Sequence, residues 1–300
     1  RTGSAYETLE ENGISHFIEH MVFKGTKNRT AQQISEEIEN VGGQNNAYTS
    51  REMTSFYARV LKNDIKTALD VTSDLILNPT FPEDEMKKEK EVVVQEIKLC
   101  IDDPDDLIND YFQAEAFPNQ PLGRTILGPA ENVRAMTSEQ MFNYMNNHYA
   151  AENIICAAVG NLNHEQIVDM IAEKFSSFRA KTNFDIPQQK YTGGVSIIKK
   201  DIEQVHIMLG FNSCKQGADD FYPTMILSTL FGGGMSSRLV QEIREKRGLV
   251  YTIFSFLNSH SQDGVFGIYA GTTAEELNVL TPVLLDEIKK IQNGDWGLGI

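Results

Sequence analysis

Residues 16–20 read His16-Phe17-Ile18-Glu19-His20. The two histidines are four residues apart. In a helix of 3.6 residues per turn their imidazoles stack on one face and can converge on a single metal ion. Zn²⁺ is the usual partner of such a pair. Glu19 lies beside them, placed to take a proton from a metal-bound water rather than to fill a coordination position. Taken singly, each histidine would be an ordinary core or surface residue. The pair with its glutamate points to metal-dependent hydrolysis, and that chemistry needs a third ligand.

The residues around the pair favour a helix. Ile14, Phe17, Ile18, Met21 and Val22 form an apolar stripe at helical spacing, His16, Glu19, His20 and Phe23 form a second, and Gly25 is a stop. The third ligand is expected on a later helix. Pro82 suits that helix's first turn, Glu83, Asp84 and Glu85 favour its positive N-terminus, and the pattern runs to about Cys100. Glu89 and Glu96 lie two turns apart there and share a face with Met86, Val92, Val93 and Cys100. Carboxylates in an apolar stripe are costly unless compensated, and a metal with its histidine ligands would compensate them. The competing reading sends both glutamates to the stripe's edge and into water. The apolar neighbours and the dihistidine pair favour Glu96 as the ligand.

Between these helices, Thr30 and Gln33 form a capping box for a helix buried through Ile34, Ile38 and Val41. Asn45–Thr49 and Thr54–Val60 then read as two strands joined by a turn at 50–52, and a helix follows from about Asp64 to Leu77. Asp102-Asp103-Pro104-Asp105-Asp106 is a helix-capping acidic turn, and Thr137 with Gln140 starts another helix. Ile154–Val159 reads as a buried strand and His164–Phe175 as an amphipathic helix. Residues 179–194 are polar and lack helical periodicity. We expect a domain at 1–185, a linker at 186–194 and a second domain at 195–300. Strands are expected there at 195–199, 205–211, 249–257 and 265–270, with helices at 221–231, 236–246 and 274–291. The second part repeats the element order of the first, but has no histidine or carboxylate near Leu227–Phe231 where the first has its histidines. The expected fold is α+β: two duplicated domains, each a mostly antiparallel sheet covered by helices, with the second incomplete. Gly232-Gly233-Gly234 lacks the order of a phosphate-binding loop.

Composition narrows the function classes. The 300 residues carry a formal charge of −15, against nucleic acid as a partner and compatible with basic peptides. No apolar run approaches the roughly 20 residues of a membrane span. Cys100, Cys156 and Cys214 are scattered and odd in number, as expected of core residues in a reducing compartment. The chain starts at Arg1 without a signal peptide and reads as a segment of a longer protein.

His16 to His20 also matches H-x-x-E-H, the inverzincin motif, and continues as Met21-Val22-Phe23-Lys24-Gly25-Thr26. On these residues the chain resembles the pitrilysin family of zinc peptidases, most closely the branch of the mitochondrial processing peptidase β subunit and its bacterial homologues. In that family the third ligand lies 76 residues after the second histidine, which is Glu96 here, and an acidic residue seven earlier, here Glu89, orients a ligand histidine. The resemblance implies one Zn²⁺ per chain, with His16, His20 and Glu96 as ligands and Glu19 as the base. It further implies that a substrate strand pairs with Asn46-Ala47-Tyr48, and that Arg238 and Tyr251 contact the substrate backbone and help polarise its scissile carbonyl. Alone, Arg238 would be an ordinary exposed helix residue and Tyr251 an ordinary strand aromatic. The implied activity is zinc endopeptidase action on extended or unfolded, presequence-like peptides. The implied assembly is a homodimer, or a heterodimer with a related subunit, in a bacterial cytoplasm or a mitochondrial matrix. The alternative is a non-catalytic peptide-binding or assembly subunit of a processing peptidase.

Overall fold

The computed structural model describes residues 1–181 and 188–295. In chain order it contains α1 (Ile14–Val22), α2 (Ala31–Glu39), β1 (Gln44–Thr49), β2 (Thr54–Arg59), α3 (Ile65–Leu77), α4 (Glu83–Asp102), α5 (Pro104–Ala116), α6 (Ala130–Ala135), α7 (Ser138–His148) and α8 (His164–Lys174). There follow β3 (Val205–Ser213), α9 (Phe221–Gly232), β4 (Thr252–Ser259), β5 (Gly264–Thr272) and α10 (Leu277–Gln292). The fold is mixed α+β with antiparallel sheets, as expected. The residues group into two compact units, Arg1–Leu99 with Arg124–Pro187, and Cys100–Gly123 with Gln188–Ile300. This differs from the contiguous division at 185 in one segment. α5 belongs with the second unit because Phe112 packs edge-on against Phe256 of β4, and Asp105 accepts a 2.5 Å hydrogen bond from Tyr269 of β5.

In the first unit, Ile14, Phe17, Ile18, Met21 and Val22 of α1 are buried at the centre of a core shared with Ile34 and Ile38 of α2, Val71 and Leu75 of α3, Val93 and Val94 of α4, and Met141 and Tyr144 of α7. The capping boxes at Thr30/Gln33 and Thr137/Gln140 both form. β1 and β2 make a hairpin in the register Asn46↔Tyr57, Ala47↔Phe56, Tyr48↔Ser55, Thr49↔Thr54. Met86, Glu89 and Val93 of α4 turn inward as expected, but Val92 is exposed, so the buried face is narrower than the sequence stripe.

The loop after α1 is tied to α3 by a charged cluster. Asp74 is buried and accepts from Thr26 Oγ1 (2.6 Å), Asn28 Nδ2 (2.6 Å), Asn78 Nδ2 (2.8 Å) and Arg29 (2.9 Å). Arg29 also grips Glu37 through two nitrogens at 3.0–3.1 Å and contacts Asp70, which Lys174 contacts in turn.

In the second unit the sheet order is β3-β5-β4, antiparallel throughout. α9 and α10 contribute Phe231, Leu280 and Leu284 to its core, with Leu239, Ile243, Ile253 and Ile268. The segment expected as a helix at 236–246 is a π-helical turn over Val240–Glu245. The expected linker lies partly outside the described residues. Its described part is pinned: Gln189 is buried and accepts from Leu122 N at 2.5 Å, and Tyr191 N donates to Asp263 at 2.8 Å. Two expected strands, Ile154–Val159 and Val195–Lys199, are not strands, and Val159 and Val195 are almost fully exposed. A strand exists by virtue of a hydrogen-bonded neighbour, and neither segment has one among the described residues.

Candidate metal centre

The metal-binding motif sits on a helix that is held at its start. Gly13 precedes α1 with φ 99°, and a Cβ there would meet Leu127 O at 2.5 Å, so only glycine fits. The orphan N–H groups of this terminus are taken by a carboxylate from the preceding loop. Glu7 accepts from Gly13 N at 2.8 Å, Ser15 N at 2.9 Å and Asn12 Nδ2 at 3.0 Å. Burial pushes the Glu7 carboxyl up, and these hydrogen bonds oppose the push. Ser15 Oγ is also bonded to Tyr144 on α7, at 2.8 Å. With both ends of the loop–helix junction fixed, His16 and His20 project from a rigid element.

The two imidazoles lie with ring centroids 4.6 Å apart and planes inclined by 62°. Glu96, two turns beyond Glu89 on α4, brings Oε2 to 3.7 Å from His16 Nε2 and 3.6 Å from His20 Nε2. These separations are too long for hydrogen bonds. They approach the edge, about 3.4 Å, of a tetrahedron of ligands at roughly 2.0–2.1 Å from a central zinc ion. Among the described residues, this is the group of histidines and carboxylates whose ligand atoms converge on one point, all lying within 4.8 Å of one another. The donor set, two imidazoles and one carboxylate, fits Zn²⁺ and leaves a fourth position open. The Glu96 side chain is 42% exposed, so this side of the cluster is reached by solvent.

Protonation favours ligation. His16 is buried, and burial, followed by repulsion from His20, lowers its pKa to about 3, leaving the ring neutral. Its Nδ1 has no hydrogen-bond partner among the described residues. His20 Nδ1 is bonded to Glu89 Oε1 at 2.8 Å. Burial would raise the Glu89 carboxyl, but hydrogen bonds from Lys24 (2.7 Å) and His20 outweigh it and lower its pKa. An ionised Glu89 accepts the Nδ1 proton, which leaves the His20 Nε2 lone pair facing Glu96. Lys24 lies in the motif's continuation, but nothing in its spacing reveals that it pairs with Glu89. Glu19 accepts a 2.6 Å hydrogen bond from Thr49 Oγ1 of β1. Burial raises its pKa, Thr49 and His20 pull the other way, and Glu96 adds to the rise.

The first unit therefore brings together His16, Glu19, His20, Glu89 and Glu96. On the hairpin, Asn46 and Tyr48 face outward and Ala47 inward. Ala47 N donates to Asn46 Oδ1 at 2.8 Å. Arg238 and Tyr251 belong to the second unit. Arg238 is not the exposed residue its surroundings in the sequence suggest: its side chain is 12% exposed and donates to the buried Glu287 at 2.6 Å. Tyr251 is 75% exposed.

Residues 1–130 match the family model described as "Insulinase (Peptidase family M16)", and residues 135–297 match "Peptidase M16 inactive domain". An "Uncharacterized zinc protease" of Rickettsia felis is 44% identical over 292 residues, covering 97% of this chain and 71% of the relative. The Bacillus subtilis "Uncharacterized zinc protease YmxG" is 38% identical, with the same coverage of 97% and 71%. Among solved structures, a protease from Helicobacter pylori superposes with a TM-score of 0.87 at 24% identity, covering 96% of this chain and 72% of that one. A peptidase M16 inactive domain from Pseudomonas fluorescens gives 0.88 at 22%, covering 97% and 73%. At such identities the two structures speak for the fold.

Proposed function

Because this chain belongs to the M16 family of peptidases, a pitrilysin-like group, we propose that it is a zinc endopeptidase acting on extended or unfolded peptides. The observation that carries the reading is the convergence of His16, His20 and Glu96 at 3.6–3.7 Å, with Glu19 beside them. Zinc held there would lower the pKa of bound water towards neutrality and polarise a carbonyl. Glu19 takes the proton of the attacking water and passes it to the leaving amine. Glu89 fixes the tautomer of His20.

For substrate binding, an extended peptide is proposed to add along β1 at Asn46, Ala47 and Tyr48. Backbone pairing there gives affinity with little sequence preference, and Ala47 N–H, now held by its neighbour's side chain, is a donor for such a strand. Contacts of Arg238 and Tyr251 with the substrate rest on family resemblance, as do presequence-like substrates, one zinc per chain, and a dimer with itself or a related subunit. Among the described residues no helix is long and apolar enough to cross a membrane. The bacterial relatives favour a cytoplasmic location over a mitochondrial matrix.

A non-catalytic peptide-binding subunit is the rival reading, suggested by the match to an inactive domain. That match covers 135–297 and leaves out every member of the metal cluster. The test is metal analysis of the purified protein beside a quenched-peptide assay. Bound zinc with peptide turnover is expected, and Glu19→Gln should keep the metal while losing hydrolysis by roughly 10²–10⁴-fold. Zinc-free protein that still binds peptide would favour the rival.

A further inference from the structure

A base must be held at a fixed angle as well as be near its proton, and Glu19 reaches its site on a side chain with three rotatable bonds. Among the described residues its carboxylate has one hydrogen-bond partner, the Thr49 hydroxyl at 2.6 Å, and that partner comes from a different element, β1. Thr49 is itself backed. Thr54, directly opposite it across the hairpin, places Oγ1 at 3.3 Å from Thr49 Oγ1. Opposed residues of an antiparallel pair point to the same face. Thr49 has one hydroxyl proton. If it is given to Glu19, Thr49 can only accept from Thr54, so the chain runs in one direction, from Thr54 to Thr49 to Glu19 Oε2. Oε1 then remains as the oxygen free to receive a proton.

We propose that Thr49, backed by Thr54, is a positioning residue for the base: it clamps Oε2 of Glu19 and so selects Oε1 as the oxygen that receives the proton from water. The inference rests on the peptidase reading above. It also connects two functions of one strand, since Thr49 follows directly on the residues proposed to take the substrate.

Two substitutions separate orientation from packing. Thr49→Val keeps the shape and β-branching but removes the donor, and Thr49→Ser keeps the donor but removes a methyl group. In the full chain, Thr49→Val is expected to lower kcat by roughly 10–100-fold, since misplacing a catalytic group by about an ångström costs on that order. KM and zinc content should stay as in the wild type, and Thr49→Ser should restore most of kcat. Crystal structures of the zinc-loaded variants supply a readout independent of turnover. The Glu19 carboxylate should leave its position in Thr49→Val and keep it in Thr49→Ser. An unmoved Glu19 in Thr49→Val, an unchanged kcat, or a Thr49→Ser variant as impaired as Thr49→Val would overturn the proposal. If the wild-type protein turns over no peptide, the peptidase reading fails, and the two variant structures alone decide whether Thr49 holds Glu19.

Discussion

The first unit contains two dense clusters of ionisable side chains, and they are built in opposite ways. Around Arg29, each charge meets its complement. Asp74 accepts four hydrogen bonds of 2.6–2.9 Å, and Arg29 divides its guanidinium among Asp74, Asp70 and Glu37. Around His16, the groups point at one another and stop short: His16 Nε2 and His20 Nε2 stand 3.7 and 3.6 Å from Glu96 Oε2, and His16 Nδ1 has no partner among the described residues. A cluster whose charges already satisfy one another has little to gain from a guest, whereas ligand atoms that converge without satisfying one another are stabilised when a cation arrives. The same contrast appears inside the site. Glu89 is closed off by Lys24 and His20, while Glu96 is left open on its solvent side.

The strongest way to break this comparison is to remove a ligand. Glu96→Gln keeps the shape of α4 but takes away the carboxylate. It should cost the bound zinc and reduce peptide hydrolysis by at least about 10³-fold, as loss of an essential catalytic group does, while thermal stability of the metal-free protein stays close to wild type. A protein that keeps stoichiometric zinc without Glu96 would show that the convergence is incidental.

Asp74→Ala should do the reverse. It takes an acceptor from four side-chain donors and is expected to destabilise the fold by about 2–3 kcal/mol in denaturant titration, with zinc affinity of the folded protein little changed. The effect depends on pH in a definite sense. Burial raises the Asp74 carboxyl but its hydrogen bonds prevail, so its folded pKa lies below the unfolded value of about 3.9. The stability it supplies is fully present above that unfolded value and is lost as pH falls through the folded one. The difference between variant and wild type should therefore be constant near neutrality and close up in acid below about pH 4.

Lys24→Met tests the link between a closed pair and an open site. Without its cation, burial opposes the ionisation that lets Glu89 accept the His20 Nδ1 proton. Zinc affinity should fall roughly tenfold, the lower end of what such supporting partners contribute, with the fold intact by circular dichroism. Unchanged affinity would mean that His20 is oriented by packing alone.

Much of this was legible before any fold was known. α1 and its stripe, the two capping boxes, the β1–β2 hairpin and the inward turn of Glu89 follow from spacing along one element, where helix and strand geometry are local. Within α4, Val92 shows the limit of that reading: apolar type put it in the stripe, and the helix turns it to solvent. The strands expected at 154–159 and 195–199 fail for a different reason, since a run of apolar, β-branched residues says nothing about whether a neighbour is there to pair with. Arg238 fails in the opposite direction. Its partner Glu287 lies 49 residues away on α10, and no local pattern reveals that the two meet.

By itself, then, the sequence determined which side chains could bind a metal ion and which face of each helix would carry them, because a repeat of 3.6 residues is a property of the backbone alone. Tertiary structure decided that α4 delivers Glu96 to the imidazoles of α1, that Lys24 pairs with Glu89, and that a threonine from the hairpin reaches the glutamate of the motif. Those are contacts between elements, and they depend on how buried apolar faces pack, which no spacing along the chain specifies.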